Sequence, residues 1–162
     1  MRPEDQLNAG VHYMVIPRVL VFLTRADELL LLRGAPDKKL WGGKYNGLGG
    51  HIEPGETPRQ TAVREVYEEA GLVVDALTLR AVIHVTLPQP PGVLFFVFVG
   101  EAPVGELRPS AEGTPVWVKR SEIGALPLVE DLPELLPRVL ETGPVVFGQY
   151  ILAADGLHAT FA

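Results

Sequence analysis

The sequence has no cysteine among its 162 residues, which excludes disulfides, thiolate metal sites and cysteine nucleophiles. It also lacks a long apolar run. Val19 to Leu23, Leu29 to Leu32 and Val93 to Val99 have the length of strands, far short of the ~20 residues of a membrane-spanning helix. No membrane partner is expected. Positive charge is scarce: 14 Lys and Arg stand against 20 Asp and Glu, for a net charge of -6. An acidic chain matches a nucleic-acid backbone poorly, so no nucleic-acid partner is expected. A small phosphate-bearing ligand remains compatible, because a bound cation can mediate the contact. The start, Met1 to Gly10, has no basic stretch followed by an apolar one and carries Glu4 and Asp5. No secretory signal is expected, and a cytoplasmic location is.

What is present fits an ordinary folded chain. Hydrophobic residues make up 47% and charged residues 21%, near the globular average, and residues 1–162 are expected to form one domain. Val11 to Thr24 reads as a strand, Ala26-Asp27-Glu28 as a tight turn, and Leu29 to Leu32 as the returning strand. Gly34 to Gly50 is glycine-rich and loop-like. Thr57 to Ala70 reads as a helix, and Leu72 to Leu87 holds two stretches of strand composition. Pro88 to Gly92 is a turn before a strand from Val93 to Val99 that stops at Gly100. Pro115 to Lys119 is a further strand, and Ser121 is a candidate cap for a short helical turn. Leu132 to Glu141 reads as a helix with Pro137 awkward in its middle, and Val145 to Ala153 as a late strand ended by Asp155-Gly156. The composition predicts a mixed α/β or α+β fold.

One segment, Gly50 to Leu72, concentrates chemistry. Thr57 and Gln60 have capping-box spacing, Pro58 falls at the first helical position, and Gly71 sits where a left-handed cap belongs. On the helix so defined, Glu65, Glu68 and Glu69 are related by i, i+3 and i+4 and share a face. Val63, Val66 and Ala70 lie on an adjacent face suited to packing on a sheet. Arg64 is near enough to neutralise or orient the acids. Clustered carboxylates repel each other unless a cation compensates, and an all-oxygen set suits Mg²⁺, with Mn²⁺ a possible substitute. Gly49 and Gly50 would let a loop backbone approach that ion closely.

A lone Glu-x-x-Glu-Glu run is usually a solvated helix face. Here the fuller pattern Gly50, Glu56, Arg64, Glu65, Val66, Glu68, Glu69, Gly71 and Leu72 resembles the Nudix box G-x5-E-x7-R-E-U-x-E-E-x-G-U at every fixed position. A chance match in one chain is below roughly one in a million from average residue usage. The resemblance implies an α/β/α sandwich around a mixed sheet, with a loop–helix–loop site. It also implies hydrolysis of a nucleoside diphosphate linked to another group. By position, Glu65, Glu68 and Glu69 become metal ligands, with the Gly49 carbonyl a further candidate. Glu56 and Arg64 become the pair that orients the helix and its acids. Glu65 is the first candidate for the general base and Glu69 the reserve.

Further stretches resemble MutT-type enzymes that remove oxidised purine nucleoside triphosphates. Tyr45-Asn46-Gly47-Leu48-Gly49-Gly50 resembles their W-N-G-F/L-G-G approach, which makes Asn46 a base-contact candidate; a turn residue beside Gly47 is the plainer alternative. Glu112, in Glu112-Gly-Thr-Pro-Val-Trp117, matches a further acidic ligand. Asp131, in Leu126-Pro-Leu-Val-Glu130-Asp131, matches an acid at the base edge, whereas Leu128 or Val129 stands where the family can carry a stacking Trp. His51 could touch phosphate, and His84 reads as structural. Arg33, Lys38 and Lys39, near the glycine-rich loop, are candidates either for phosphate binding or for plain solvated loop charges; Trp41 is a core or pocket residue, and Trp117 a core residue. The expected activity is Mg²⁺-dependent pyrophosphohydrolysis of a small nucleotide. Pro88 and the altered base pocket keep open a hydrolase of ADP-ribose or another nucleotide conjugate. A non-catalytic nucleotide-sensing module is the alternative of another class.

Overall fold

The computed structural model describes residues 12–162. Met1 to Gly10, and Val11 at the head of the expected first strand, lie outside the described residues. The central strands follow directly from the sequence. In β1 (Val15–Arg25) and β2 (Glu28–Gly34) nearly every residue of the apolar run is buried, as expected where both faces of a sheet are covered. Leu20 and Phe22 of β1 and Leu29 and Leu31 of β2 face one core layer. Val19, Val21, Leu23, Leu30 and Leu32 face the other. Fully burying each such side chain contributes roughly 1.5–3 kcal/mol.

The remaining elements are β3 (Tyr45–Asn46), α1 (Pro58–Ala70), β4 (Leu77–Thr86), β5 (Gly92–Glu101), β6 (Gly113–Lys119), α2 (Leu132–Leu140), β7 (Val146–Ala153) and β8 (Gly156–Phe161). They build one mixed sheet in the order β3-β2-β1-β5-β4-β7-β8, with β6 pairing β2. The β1–β5 and β4–β7 pairs are parallel; the others are antiparallel. Helix α1 packs Ala62, Val66 and Ala70 on one face, and α2 packs Leu132, Leu135, Leu136 and Val139 on the other. The result is the expected α/β/α sandwich. No helix among the described residues is long and apolar enough to cross a membrane.

Several local expectations need correction. Leu72 to Leu87 holds one strand, not two: residues 72–76 are irregular, with Leu72 and Val74 buried against α1's layer but outside the sheet ladder. β5 runs through Gly100 to Glu101 because it continues to pair with β1 and β4. Ser121 caps nothing; the 3-10 turn at Ile123–Ala125 begins after Glu122, without a side-chain cap. Asp155-Gly156 ends β7 only to turn into β8, a strand beyond those expected from the sequence. Val63 is half-buried, and Ala62 takes the fully buried place beside Val66. Pro137 is tolerated inside α2 because it lies on the exposed side, where water can satisfy the carbonyl that its missing N–H leaves.

The sheet also anchors α2. The register shifts between Leu79 and Ala81, so Arg80 is an extra residue in a bulge. Its buried guanidinium donates to the carbonyls of Val139 (3.2 Å), in the last turn of α2, and of Glu141 and Gly143 just beyond it. A cation there satisfies orphan carbonyls and complements the helix dipole. Arg80→Met strands those carbonyls. It is expected to destabilise the fold by about 2–3 kcal/mol in urea titration; an unchanged midpoint would contradict the cap.

Candidate active site

Local chemistry fixes α1. Thr57 Oγ1 accepts from Gln60 N (3.3 Å), Gln60 Oε1 accepts from Thr57 N (2.9 Å), and Pro58 occupies the first turn. Gly71, at φ 74°, caps the end. The helix meets an unusual piece of sheet. β1 and β2 pair only over Leu23–Arg25 and Glu28–Leu30. Beyond that the segment 48–51 takes β2's place beside β1: Leu48 and Val21 exchange hydrogen bonds (2.7 and 3.1 Å), and Val19 N donates to Gly50 O (2.9 Å). Gly49 has φ 151°, and a Cβ there would lie 2.1 Å from Val19 O; a Cβ on Gly50 would lie 2.1 Å from Glu65 Oε1. Gly49 is therefore needed for the segment to close on β1, and Gly50 for Glu65 of α1 to reach this backbone.

Glu65 and Glu69 are buried, whereas Glu68 is exposed. Gly49 N donates to Glu69 Oε2 (2.8 Å). Burial pushes the Glu69 carboxyl up to about 8, with Glu65 and Glu112 adding to the rise and the Gly49 N–H opposing it. Burial also pushes Glu65 up, opposed by Arg64.

Arg64 is the hub. Its Nε and Nη2 grip Glu56 Oε1 and Oε2 (2.8 and 3.0 Å), a bidentate pair. Its Nη1 donates to Glu65 Oε1 (2.9 Å) and Glu68 Oε2 (3.2 Å), and Nη2 donates also to His51 O (3.1 Å). Arg64, then the Thr61 hydroxyl at 2.7 Å, hold Glu56 down at about 2. Arg64 itself is pushed up, chiefly by Glu56. His51 thus joins the network through its carbonyl; its side chain lies on an exposed residue.

A groove leads away from the acids. A cavity of ≈ 130 Å³ is lined by Arg18, Trp41, Asn46, Gly49, Glu69 and Phe95. It shares Leu40, Trp41 and Asn46 with a cleft of ≈ 410 Å³ that Asp131 and Tyr150 also line. The register explains the meeting of Asn46 and Asp131. β3 hydrogen-bonds to segment 127–129 (Tyr45 N to Pro127 O, 2.9 Å; Val129 N to Tyr45 O, 3.0 Å), which ends beside Asp131. Asn46 Oδ1 accepts from Gly47 N (2.8 Å), leaving its amide N–H₂ and one lone pair to offer a ligand. Asp131 stands at the head of α2 without capping it. Burial pushes its carboxyl up, with Glu130 adding to the rise.

Glu112 is exposed and pairs with Lys38 Nζ (2.7 Å), so it reaches the acids through space rather than by contact. His84 hydrogen-bonds the Tyr13 hydroxyl (3.0 Å), in keeping with a structural role. Trp117 is half-buried under the Arg25 guanidinium, 4.1 Å from the ring centre. The sequence reading missed Arg18 and Tyr150. The available signal for Arg18 was a lone cation interrupting the apolar run Val15 to Leu23.

Among the described residues, no three acidic or histidine side chains already converge as a metal cage. The donor chemistry nevertheless fits a hard cation: two buried carboxylates beside the glycine backbone and an open groove, with Glu65 and Glu68 both accepting from Arg64.

Comparison with known proteins gives the family. A family model for the NUDIX domain matches residues 14–139. The NAD-capped RNA hydrolase NudC of Chromobacterium violaceum is 35% identical over 116 residues, 70% of this chain and 40% of that protein. The chain thus spans less than half of that relative. The oxidized purine nucleoside triphosphate hydrolase of Mus musculus is 30% identical over 125 residues, 75% of this chain and 78% of that protein. The crystal structure of the mutator MutT protein from Bacillus halodurans superposes with a TM-score of 0.79 at 23% identity, covering 91% of this chain and 97% of the other. At that identity the likeness shows the fold alone. With its box intact at every fixed position and the family model matched across most of its length, the chain belongs to the Nudix hydrolases.

Proposed function

We propose that this Nudix hydrolase is a MutT-type nucleoside triphosphate pyrophosphohydrolase, using Mg²⁺ (or Mn²⁺) and releasing a nucleoside monophosphate and pyrophosphate. The observation that carries this reading is the groove running from Glu69 and Gly49 to Asn46 and Asp131. It sets phosphate chemistry at one end and a polar, half-apolar cleft for a base at the other.

Nudix hydrolases generally work with divalent metals. Glu65, Glu69 and the Gly49 carbonyl would hold such an ion, with Glu68 and Glu112 as exposed supplements. When bound, the ion stabilises charge developing on phosphoryl oxygens and lowers the pKa of water. Arg64 and Glu56 position Glu65 and the His51 carbonyl. Glu65 or Glu69 accepts the proton of the attacking water. Asn46 and Asp131 orient the base, and His51 lends its backbone rather than its imidazole.

A second reading, cleavage of a nucleotide conjugate, is favoured by the NudC relatives and by Leu128 and Val129, which offer no aromatic stacking for a lone base. The test is a panel with Mg²⁺ and product analysis: purine and oxidised-purine triphosphates, ADP-ribose and a dinucleotide. Triphosphates should be preferred and should yield pyrophosphate. Preference for the conjugates would replace this substrate assignment, and no metal-dependent hydrolysis at all would remove it.

A further inference from the structure

We propose that Arg18 grips the phosphate that stays attached to the nucleoside, at the bend between the acid cluster and the base cleft. This rests on the nucleotide reading above. Among the described residues only two buried side-chain polar atoms lack a hydrogen-bond partner, Arg18 Nε and the Tyr150 hydroxyl, and both residues line the groove. A buried cationic donor without an acceptor is costly, and folded proteins leave such a group where something outside the chain completes it.

The surroundings say what that something is. Arg18 lies in the field of Glu65, Glu69 and Glu112, yet it hydrogen-bonds to none of them. Burial lowers its pKa and the three acids offset this in part. The guanidinium therefore faces Glu69 across a space instead of closing on it, and the ≈ 130 Å³ cavity that both residues line is that space. The Phe95 ring, 5.6 Å from the guanidinium carbon, supports the group. A planar fork of N–H donors matches phosphate oxygens, two at a time. Because one small cavity joins Glu69 to Asn46, the phosphate that fits it is the one between the reacting linkage and the base. Arg18 there counters the repulsion that the acid cluster imposes on an anionic substrate.

Titration calorimetry can test this with a nucleoside monophosphate and the matching nucleoside, each with Mg²⁺ and with chelator. Wild type, Arg18→Lys and Arg18→Met are compared. Arg18→Met should weaken the monophosphate by about 10- to 100-fold, the scale of hydrogen bonds to a charged group, and leave the nucleoside unchanged. Arg18→Lys should recover part of the loss, because a point charge keeps the attraction without the fork. Thermal melting should show Arg18→Met folded and no less stable than wild type. Equal loss for both ligands, no loss for either, no measurable monophosphate binding by wild type, or a clear drop in melting temperature each overturns the assignment. If wild type hydrolyses nucleotides while Arg18→Met keeps full monophosphate affinity, only the Arg18 assignment fails. If wild type hydrolyses no nucleotide, the functional reading fails with it.

Discussion

Glu69→Gln should lower kcat by about 10²–10⁴, the range for losing a general base or an equivalent catalytic acid group. The same change should make the metal-free protein more stable. Glutamine keeps the shape, and its amide oxygen can still accept from Gly49 N, now 2.8 Å from Glu69 Oε2. What disappears is a charge on a side chain of a residue only 3% exposed.

The sign follows from linkage. Burial raises the Glu69 carboxyl from 4.5 in the unfolded chain to about 8 in the folded one. Between those values the folded state binds more protons than the unfolded state, so stability falls as pH rises through this window. Below it the penalty is absent; above it the penalty is complete, on the order of 2–4 kcal/mol for a carboxylate buried beside other acids. Melting curves of wild type and Glu69→Gln in chelator should therefore converge near pH 4.5 and separate toward pH 8, with the variant higher. A variant that melts lower than wild type at pH 8, or one that turns nucleotides over at the wild-type rate, would contradict the place given to Glu69.

The parts of the molecule legible in the sequence are those set by local chemistry. Helix α1 runs over Pro58–Ala70, as expected, because Thr57, Gln60, Pro58 and Gly71 define both ends within a few residues of themselves. β1 and β2 announce themselves by continuous apolar runs. β3 does not: its two residues exist as a strand only because Leu32 and Arg33 lie opposite them, and the link to segment 127–129 is longer range still. That missing strand is also why the sequence could match Asn46 and Asp131 to one base edge only by resemblance, never by spacing. β8 does alternate, with Leu157, Ala159 and Phe161 packed inward and His158 and Thr160 exposed, but it is only six residues long and none of them is fully buried, so the pattern is short and weak. Residues 72–76 erred the other way, since Leu72 and Val74 alternate into the core without a ladder partner. The acids were legible as a cluster, but their division into buried Glu65 and Glu69 and exposed Glu68 depends on where the Gly49-Gly50 backbone crosses the helix.

That crossing makes Arg64→Lys the second severe substitution. Arg64 uses three nitrogens to hold Glu56, Glu65, Glu68 and the His51 carbonyl at once. Lysine has one nitrogen and no fork, so it can keep the charge but cannot keep both carboxylates of Glu56 and Glu65 in place. Freed of Arg64, Glu65 keeps Glu68 as a like-charged neighbour and loses its one side-chain hydrogen bond, with only the more distant charge of Arg18 to oppose the repulsion. A misplacement of about 1 Å at reacting groups costs on the order of 100-fold, and Arg64→Lys should lose that much in kcat while KM changes little. Glu56→Gln should lose less, because an amide oxygen still accepts from Arg64. Combining the two changes should cost scarcely more than Arg64→Lys alone, since both act through one hub. Fully additive losses would mean that Glu56 and Arg64 serve separate ends. A loss confined to KM would mean that Arg64 binds substrate directly instead of holding the acids.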